Sequence, residues 1–286
     1  MSIHIVYHAY LTTSTALTGV IRDLVEKGTN LIPKPHTDYI ICKEGEKIVA
    51  KDRKRDPEPD AVLFFDKDIL LARLLEERYP VFNSSHAIAA SDDKIETWRL
   101  LAPRLPMVPT IPAPFHYFSS MPEDSYIDAV EALGYPVVVK AAKGSFGEQV
   151  FLAEDRAALE ERILAMGEAP FLFQPFDPDA AGKDIRVLIV GDTIIGAIKR
   201  TNDRDFRANI AAGGRAEPYI LNERQRAIAL AAHRALGLTF SGIDLTASCE
   251  RPALIEVNSN MSYMGFQQAT GIDVSRKILN HIAALL

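Results

Sequence analysis

Phe240-Ser-Gly-Ile-Asp-Leu-Thr-Ala247 and Ala253-Leu-Ile-Glu-Val-Asn-Ser-Asn260 are two short runs with alternating side-chain character. Ile243, Leu245, Ile255 and Val257 alternate with Gly242, Asp244, Glu256 and Asn258. A period of two marks half-buried strands, and Cys249-Glu-Arg-Pro252 supplies the turn between them. Antiparallel pairing about a centre near residue 250 sets Asp244 across from Glu256 and Asn258 on the same face. Two carboxylates and an amide then leave one face of a segment whose other face is apolar.

Carboxylates placed opposite each other repel, so a positive group is expected between them. Oxygen ligands from Asp, Glu and Asn suit a hard cation such as Mg²⁺, which keeps waters and shares phosphate oxygens. The same pattern also fits an exposed polar face on a hairpin, and the rest of the chain has to decide between the two.

The chain has 286 residues, 48 % of them hydrophobic and 24 % charged, with a net charge of −6. These values describe an ordinary globular protein large enough for two or three lobes. The acidic balance argues against a broad nucleic-acid footprint. No apolar run approaches the ~20 residues needed to span a membrane, and Met1-Ser-Ile-His-Ile5 lacks the features of a secretory signal. Cys42 and Cys249 are isolated, as in a reduced cytoplasmic protein. The seven histidines show no zinc-binding spacing.

Strands at 3–7, 39–42, 61–65 and 81–83 alternate with helices at 12–27 and 68–78, which implies a small parallel α/β domain. Residues 51–60 carry mixed charges and prolines and read as a solvated connector. Ser91 is expected to cap a helix running to Leu101, with Lys94 in its first turn. A cation is disfavoured there by the helix dipole, so Lys94 is either screened by Asp92 and Asp93 or reserved for a polyphosphate. The proline-rich 105–114 segment reads as a linker. Val137-Val-Val-Lys140 is a buried strand that ends in a lysine, which calls for an anionic partner. Gly144-Ser-Phe-Gly147 joins strand to strand, so it is neither a Walker loop nor a dinucleotide fingerprint; its N–H groups could cover phosphates. Residues 199–215 hold five basic side chains around a Gly213-Gly214 pair, read either as a solvated loop or as a grip on phosphate or carboxylate.

Lysines at two places, a glycine flap, an arginine-rich loop and a carboxylate–amide face together meet the general needs of phosphoryl transfer. At this point Asp93-Lys94, Val137-Val-Val-Lys140, Gly144-Ser-Phe-Gly147, Lys183-Asp-Ile-Arg186, Gly196-Ala-Ile-Lys-Arg200, Asp205-Phe-Arg-Ala-Asn209, Gly242-Ile-Asp244 and Glu256-Val-Asn-Ser-Asn260 resemble the ATP-grasp carboxylate–amine ligases. Among those, the ordered set looks most like the RimK-type glutamate ligases, over residues 83–286.

The resemblance implies an α/β ATP-grasp fold behind a small parallel pre-ATP-grasp domain, divided as 1–85, 86–176 with the flap, and 177–286 with the metal site. It implies ATP and two Mg²⁺ ions as cofactors, with Mn²⁺ able to substitute. Phosphorylation of a substrate carboxylate and attack by an amine would give an amide, ADP and phosphate. The added residue would be glutamate or another amino acid, and the acceptor a peptide, carrier protein or cofactor. By position, Lys94, Lys140 and Lys199 would contact the nucleotide, with Gly144, Ser145, Phe146 and Gly147 over its phosphates. Gln174, Pro175, Phe176 and Asp177 would form the adenine hinge, and Asp184 would bind ribose. Asp244, Glu256 and Asn258 would hold the metal; Arg200, Arg207 and Asn209 would line the γ-phosphate and acyl-phosphate site. A cytoplasmic homodimer or homotetramer with no membrane or nucleic-acid partner completes the expectation.

The chain departs from the family pattern twice. Met261-Ser-Tyr-Met-Gly-Phe-Gln-Gln268 stands where the glutamate ligases continue with Pro-Gly and then an acidic residue, and Pro175 stands where they commonly have Glu. The competing reading is an ATP-binding regulatory module of the same fold without turnover.

Overall fold

The computed structural model describes residues 2–9, 15–115, 121–144, 149–210 and 213–286. Among these, the first lobe is built on β1 (Ile3–Tyr7), followed by α1 (Thr15–Lys27), β2 (Leu31–Pro35), β3 (Tyr39–Glu44), β4 (Lys47–Asp52), β5 (Ala61–Phe65), α2 (Ile69–Glu76) and β6 (Val81–Phe82). The strands β2-β1-β5-β6 pair in parallel in that order. Every residue of β5 is buried, as its unbroken apolar run requires when a sheet is covered on both faces. Tyr39–Cys42, expected in that sheet, lies instead in an antiparallel β3–β4 hairpin. The parallel partner is Leu31-Ile-Pro-Lys-Pro35, whose two prolines hid a strand that sits at the sheet edge.

The expected connector at 51–60 also differs. Residues 51 and 52 end β4, and Asp52 and Asp56 bind the buried Lys34 ammonium at 2.6–2.7 Å. A fully buried cation is tolerated only when paired in this way.

Next come α3 (Ser85–Asp92) and α4 (Lys94–Leu101). The expected single helix capped by Ser91 is two, capped by Ser84 and by Asp93; Ser91 lies inside the first, its hydroxyl bonded to Ala87 O. Asp93 accepts from the N–H groups of Ile95 and Glu96. Lys94 is therefore the first helical residue, with a carboxylate directly before it.

The central lobe comprises β7 (Ile111–Pro112), α5 (Asp124–Glu131), β8 (Val137–Ala141), β9 (Val150–Ala153), α6 (Arg156–Met166) and β10 (Phe171–Pro175). Its antiparallel sheet runs β7-β10-β8-β9. Ile127, Val130, Val137, Val139, Leu159, Ile163, Phe171 and Phe173 form its core. The 105–114 segment does more than link lobes: Leu254 N–H bonds to Pro106 O and Val108 N–H to Leu254 O.

The C-terminal lobe comprises β11 (Lys183–Val190), β12 (Thr193–Thr201), β13 (Arg215–Pro218), α7 (Glu223–Ala235), β14 (Phe240–Thr246), β15 (Leu254–Asn258), α8 (Met264–Thr270) and α9 (Val274–Leu285). The antiparallel sheet runs β13-β12-β11-β14-β15. One face carries Ile185, Val187, Ile189, Ile243 and Leu245 and packs on α7, with Ala87, Ala90 and Leu101 of α3 and α4 in the same core. On the other face, Leu188, Val190 and Phe240 pack with Ile3, Ile5, Leu63 and Phe65 of the first lobe and with α9. Buried Asn83 links these two lobes. Its amide donates to Phe240 O at 3.0 Å and Ser259 O at 3.1 Å, and its oxygen accepts from Thr239 and Phe240 N–H.

Candidate active site

The polar face of the β11–β12–β14–β15 ladder sets the chemistry. Asp244 lies opposite Glu256 on one side and opposite Arg186 on the other; Asp184 lies opposite Arg200. Period-two alternation brings all five to one face. A register shift beside Asp244 changes one expectation: Leu254, not Ile255, pairs with Leu245 and is buried, while Ile255 reaches the cavity lining. Gly242 pairs with Asn258, and the Asn258 amide approaches Gly242 O and Asp244 Oδ2 at 3.5 Å.

Two guanidinium groups neutralise Asp244 from the side away from Glu256. Arg186 grips Asp244 with both arms of its guanidinium, Nη2 donating to Oδ2 at 2.6 Å. Arg200 donates to both oxygens of Asp184 at 2.6 and 2.5 Å and reaches Asp244 Oδ2 at 3.0 Å. Burial alone would raise Asp244, but Arg186 and Arg200 outweigh it and hold its carboxyl below the usual range. Burial also opposes the charge on Arg200, and Asp244 and Asp184 reverse that, raising it.

Across the cavity, α4 and β8 present Lys94 and Lys140. Lys94 Nζ donates to Gly144 O at 3.3 Å and lies 4.0 Å from Glu256 Oε1. Lys140 is pushed down to about 8, first by burial, with Glu256 opposing and Lys94 adding to the shift. The elements enclose a cavity of about 940 Å³ whose lining includes Lys94, Lys140, Arg186, Arg200, Asp244 and Glu256.

Gln174, Pro175, Phe176 and Asp177, expected as the adenine hinge, line the same cavity, as do Gly144, Asp184, Arg207, Asn209 and Asn258. Gln174 is fixed by a 2.9 Å bond from its amide to Thr110 Oγ1. Arg207 holds Asp205 at 2.7 Å. Gly182, at φ +67°, lets this loop close in, since a Cβ there would stand 2.2 Å from Asn202 O. Lys199 does not line the cavity: it follows buried Ile198 and precedes Arg200 on β12, so it faces away, 3.9 Å from Glu217. Ser145, Phe146 and Gly147 lie outside the described residues.

Arg186 received no role from the sequence, although it stands in a motif that was read. Its partner is 58 residues away, and only the β11–β14 register reveals it. The described residues contain no cluster of three His, Cys, Asp or Glu side chains able to hold a metal. Asp244, Glu256 and Asn258 still fit Mg²⁺, which takes one or two carboxylates and draws its remaining ligands from water and phosphate. Among the described residues no helix is long and apolar enough to cross a membrane.

The model of the RimK-like ATP-grasp domain matches residues 91–282. A probable alpha-L-glutamate ligase of Legionella pneumophila is 35% identical over 254 residues, covering 87% of this chain and 77% of that protein. A ribosomal protein bS6–L-glutamate ligase of Escherichia fergusonii is 33% identical over 252 residues, with coverages of 87% and 77%. Among solved structures, D-alanine–D-alanine ligase from Bacillus anthracis superposes with a TM-score of 0.75 at 17% identity, covering 99% of this chain and 96% of that one.

Proposed function

The chain belongs to the RimK-like ATP-grasp family and is an ATP-dependent carbon–nitrogen ligase, and we propose that it adds an amino acid, glutamate by likeness to its relatives, to the carboxylate of a peptide or protein acceptor. The observation that supports this is one cavity lined by Lys94 and Lys140 on one side and by the Glu256–Asp244–Arg186 rung on the other.

A carboxylate is a poor electrophile until phosphorylation gives it a leaving group. The protein's part is to position the reactants and to neutralise charge as it moves. Lys94 and Lys140 bind and orient the triphosphate, and the hinge from Gln174 to Asp177 seats the base. Pro175 has no N–H to offer, so the Asp177 N–H donates to an adenine ring nitrogen while Pro175 C=O accepts from the exocyclic amine. Arg200, Arg207 and Asn209 line the place where the phosphoryl group meets the acceptor carboxylate. Asp244, Glu256 and Asn258 would hold Mg²⁺, which would supply positive charge to the phosphate oxygens.

The test is a screen of ADP release over pairs of amino acids and peptides, with mass spectrometry of the products. Release that needs both a carboxylate and an amine supports the reading. ATP binding without ADP formation across the whole panel would make this a nucleotide-binding module instead.

A further inference from the structure

We propose that Asp66, with His36 beside it, forms the subsite that receives the ammonium group of the amine substrate. This rests on the ligase reading, and it places the second substrate at the first lobe's end of the cavity. In the sheet order β2-β1-β5-β6, the chain moves from β1 to one side and then crosses to the other, so the strand order reverses between β1 and β5. Ligands of open parallel sheets bind beyond the carboxyl ends of the strands at such a point. His8 follows β1, His36 follows β2 and Asp66 follows β5; His8 and Asp66 line the cavity that also holds Lys94 and Glu256.

Asp66 is only 3% exposed. Its Oδ1 accepts from the N–H groups of Lys67 and Asp68 at 2.6 and 3.0 Å. Its Oδ2 is buried and accepts no hydrogen bond. The nearby His36 Nδ1, 3.3 Å from Asp66, accepts from Ala9 N–H at 3.0 Å. Lys67 is directed to Asp92. A buried carboxylate oxygen without a donor is costly, and a donor arriving through the cavity relieves that cost. A cationic donor complements the charge of this carboxylate, and Lys94, Lys140 and Arg186 in the same cavity lining offer partners for anionic groups. The surrounding described residues form no three-ligand metal cluster. A primary ammonium matches the remaining chemistry.

The test compares full-length wild type with Asp66→Asn, which keeps Oδ1 and its two backbone bonds. Calorimetric titration uses the standard amino acids and their N-acetyl derivatives, which lack the ammonium. The amino acid that binds wild type is expected to outbind its N-acetyl form at least tenfold. Asp66→Asn should lose that preference and Asp66→Glu should recover part of it. The wild-type preference is measured without any variant, so its absence overturns the subsite even if Asp66→Asn fails to fold. An unchanged preference in Asp66→Asn, or wild-type binding indifferent to N-acetylation, overturns the subsite. ADP release by wild type is scored separately and judges the ligase reading alone.

Discussion

Asp244 and Glu256 share one rung of the β14–β15 ladder, and their oxygens meet different partners. Arg186 and Arg200 clamp Asp244, whereas Glu256 faces Lys94 across 4.0 Å. The rung is thus half neutralised from within the sheet, and its other half is turned toward the lysines that would meet phosphate.

Glu256→Gln therefore removes charge on the side that faces the nucleotide. ADP release should fall at least ~100-fold, on the scale seen when one preorganised electrostatic contact is lost. Circular dichroism and thermal unfolding should stay close to wild type, because Glu256 is partly exposed. Full turnover by this variant would remove Glu256 from the metal site.

Arg200→Ala should behave in the opposite way, as a stability defect first. It strips the bidentate partner from buried Asp184 and one of two cations from buried Asp244. Breaking a buried pair from one side costs about 3–5 kcal/mol. Denaturant unfolding should show a loss of this size; a cost under about 1 kcal/mol would mean that the two carboxylates are relieved by protonation or by water.

Lys140 gives a pH-dependent signature. Burial lowers its folded value to about 8, below its unfolded one. Between these values the unfolded chain binds the extra proton, so this group's penalty on stability is full below about pH 8 and is relieved as pH rises toward its unfolded value. Lys140→Met should thus stabilise the nucleotide-free protein at pH 7, with the gain shrinking above pH 8. ATP affinity of wild type should fall from pH 8 upward as the ammonium is lost, and Lys140→Arg should flatten that fall. Calorimetric titrations at several pH values check both.

Asn83→Ala removes all four hydrogen bonds that join β14 and Ser259 to the end of β6. Leaving buried backbone groups unsatisfied costs about 1–3 kcal/mol each, so with four bonds lost a drop of at least about 4 kcal/mol in unfolding free energy is expected. Because Ser259 follows Asn258, turnover should fall as well, and more than ATP binding does.

What the sequence revealed follows what local pattern can encode. The alternation of Ile243, Asp244 and Leu245 against Glu256, Val257 and Asn258 sufficed to place one carboxylate across from the other. Asn222 and Asp273 cap α7 and α9 through backbone N–H groups three residues on, a local signature that a sequence can carry. The Arg186–Asp244 pair was hidden because strand order in a five-stranded sheet is a property of the whole lobe. Leu31–Pro35 was hidden because proline argues against a strand except at an edge. Lys199 was expected at the nucleotide and Arg200 at the γ-phosphate site, yet neighbours on a strand face opposite ways. The break between α3 and α4 was obscured by Ser91 and Asp92, which suit a helix start as well as its interior surface.

The distribution of apolar cores has a mechanical consequence. Side chains of the first lobe and of the C-terminal sheet share one core, and α3 and α4 are embedded in another with that sheet. Among the described residues, the core of the central lobe draws only on side chains between 111 and 173. Two of the three lobes are therefore packed as one unit, tied at Asn83. The separate core of the central lobe leads to the expectation that any opening of the cavity between β8–β10 and the carboxylate rung falls to that lobe, which shares no buried cluster with the other two.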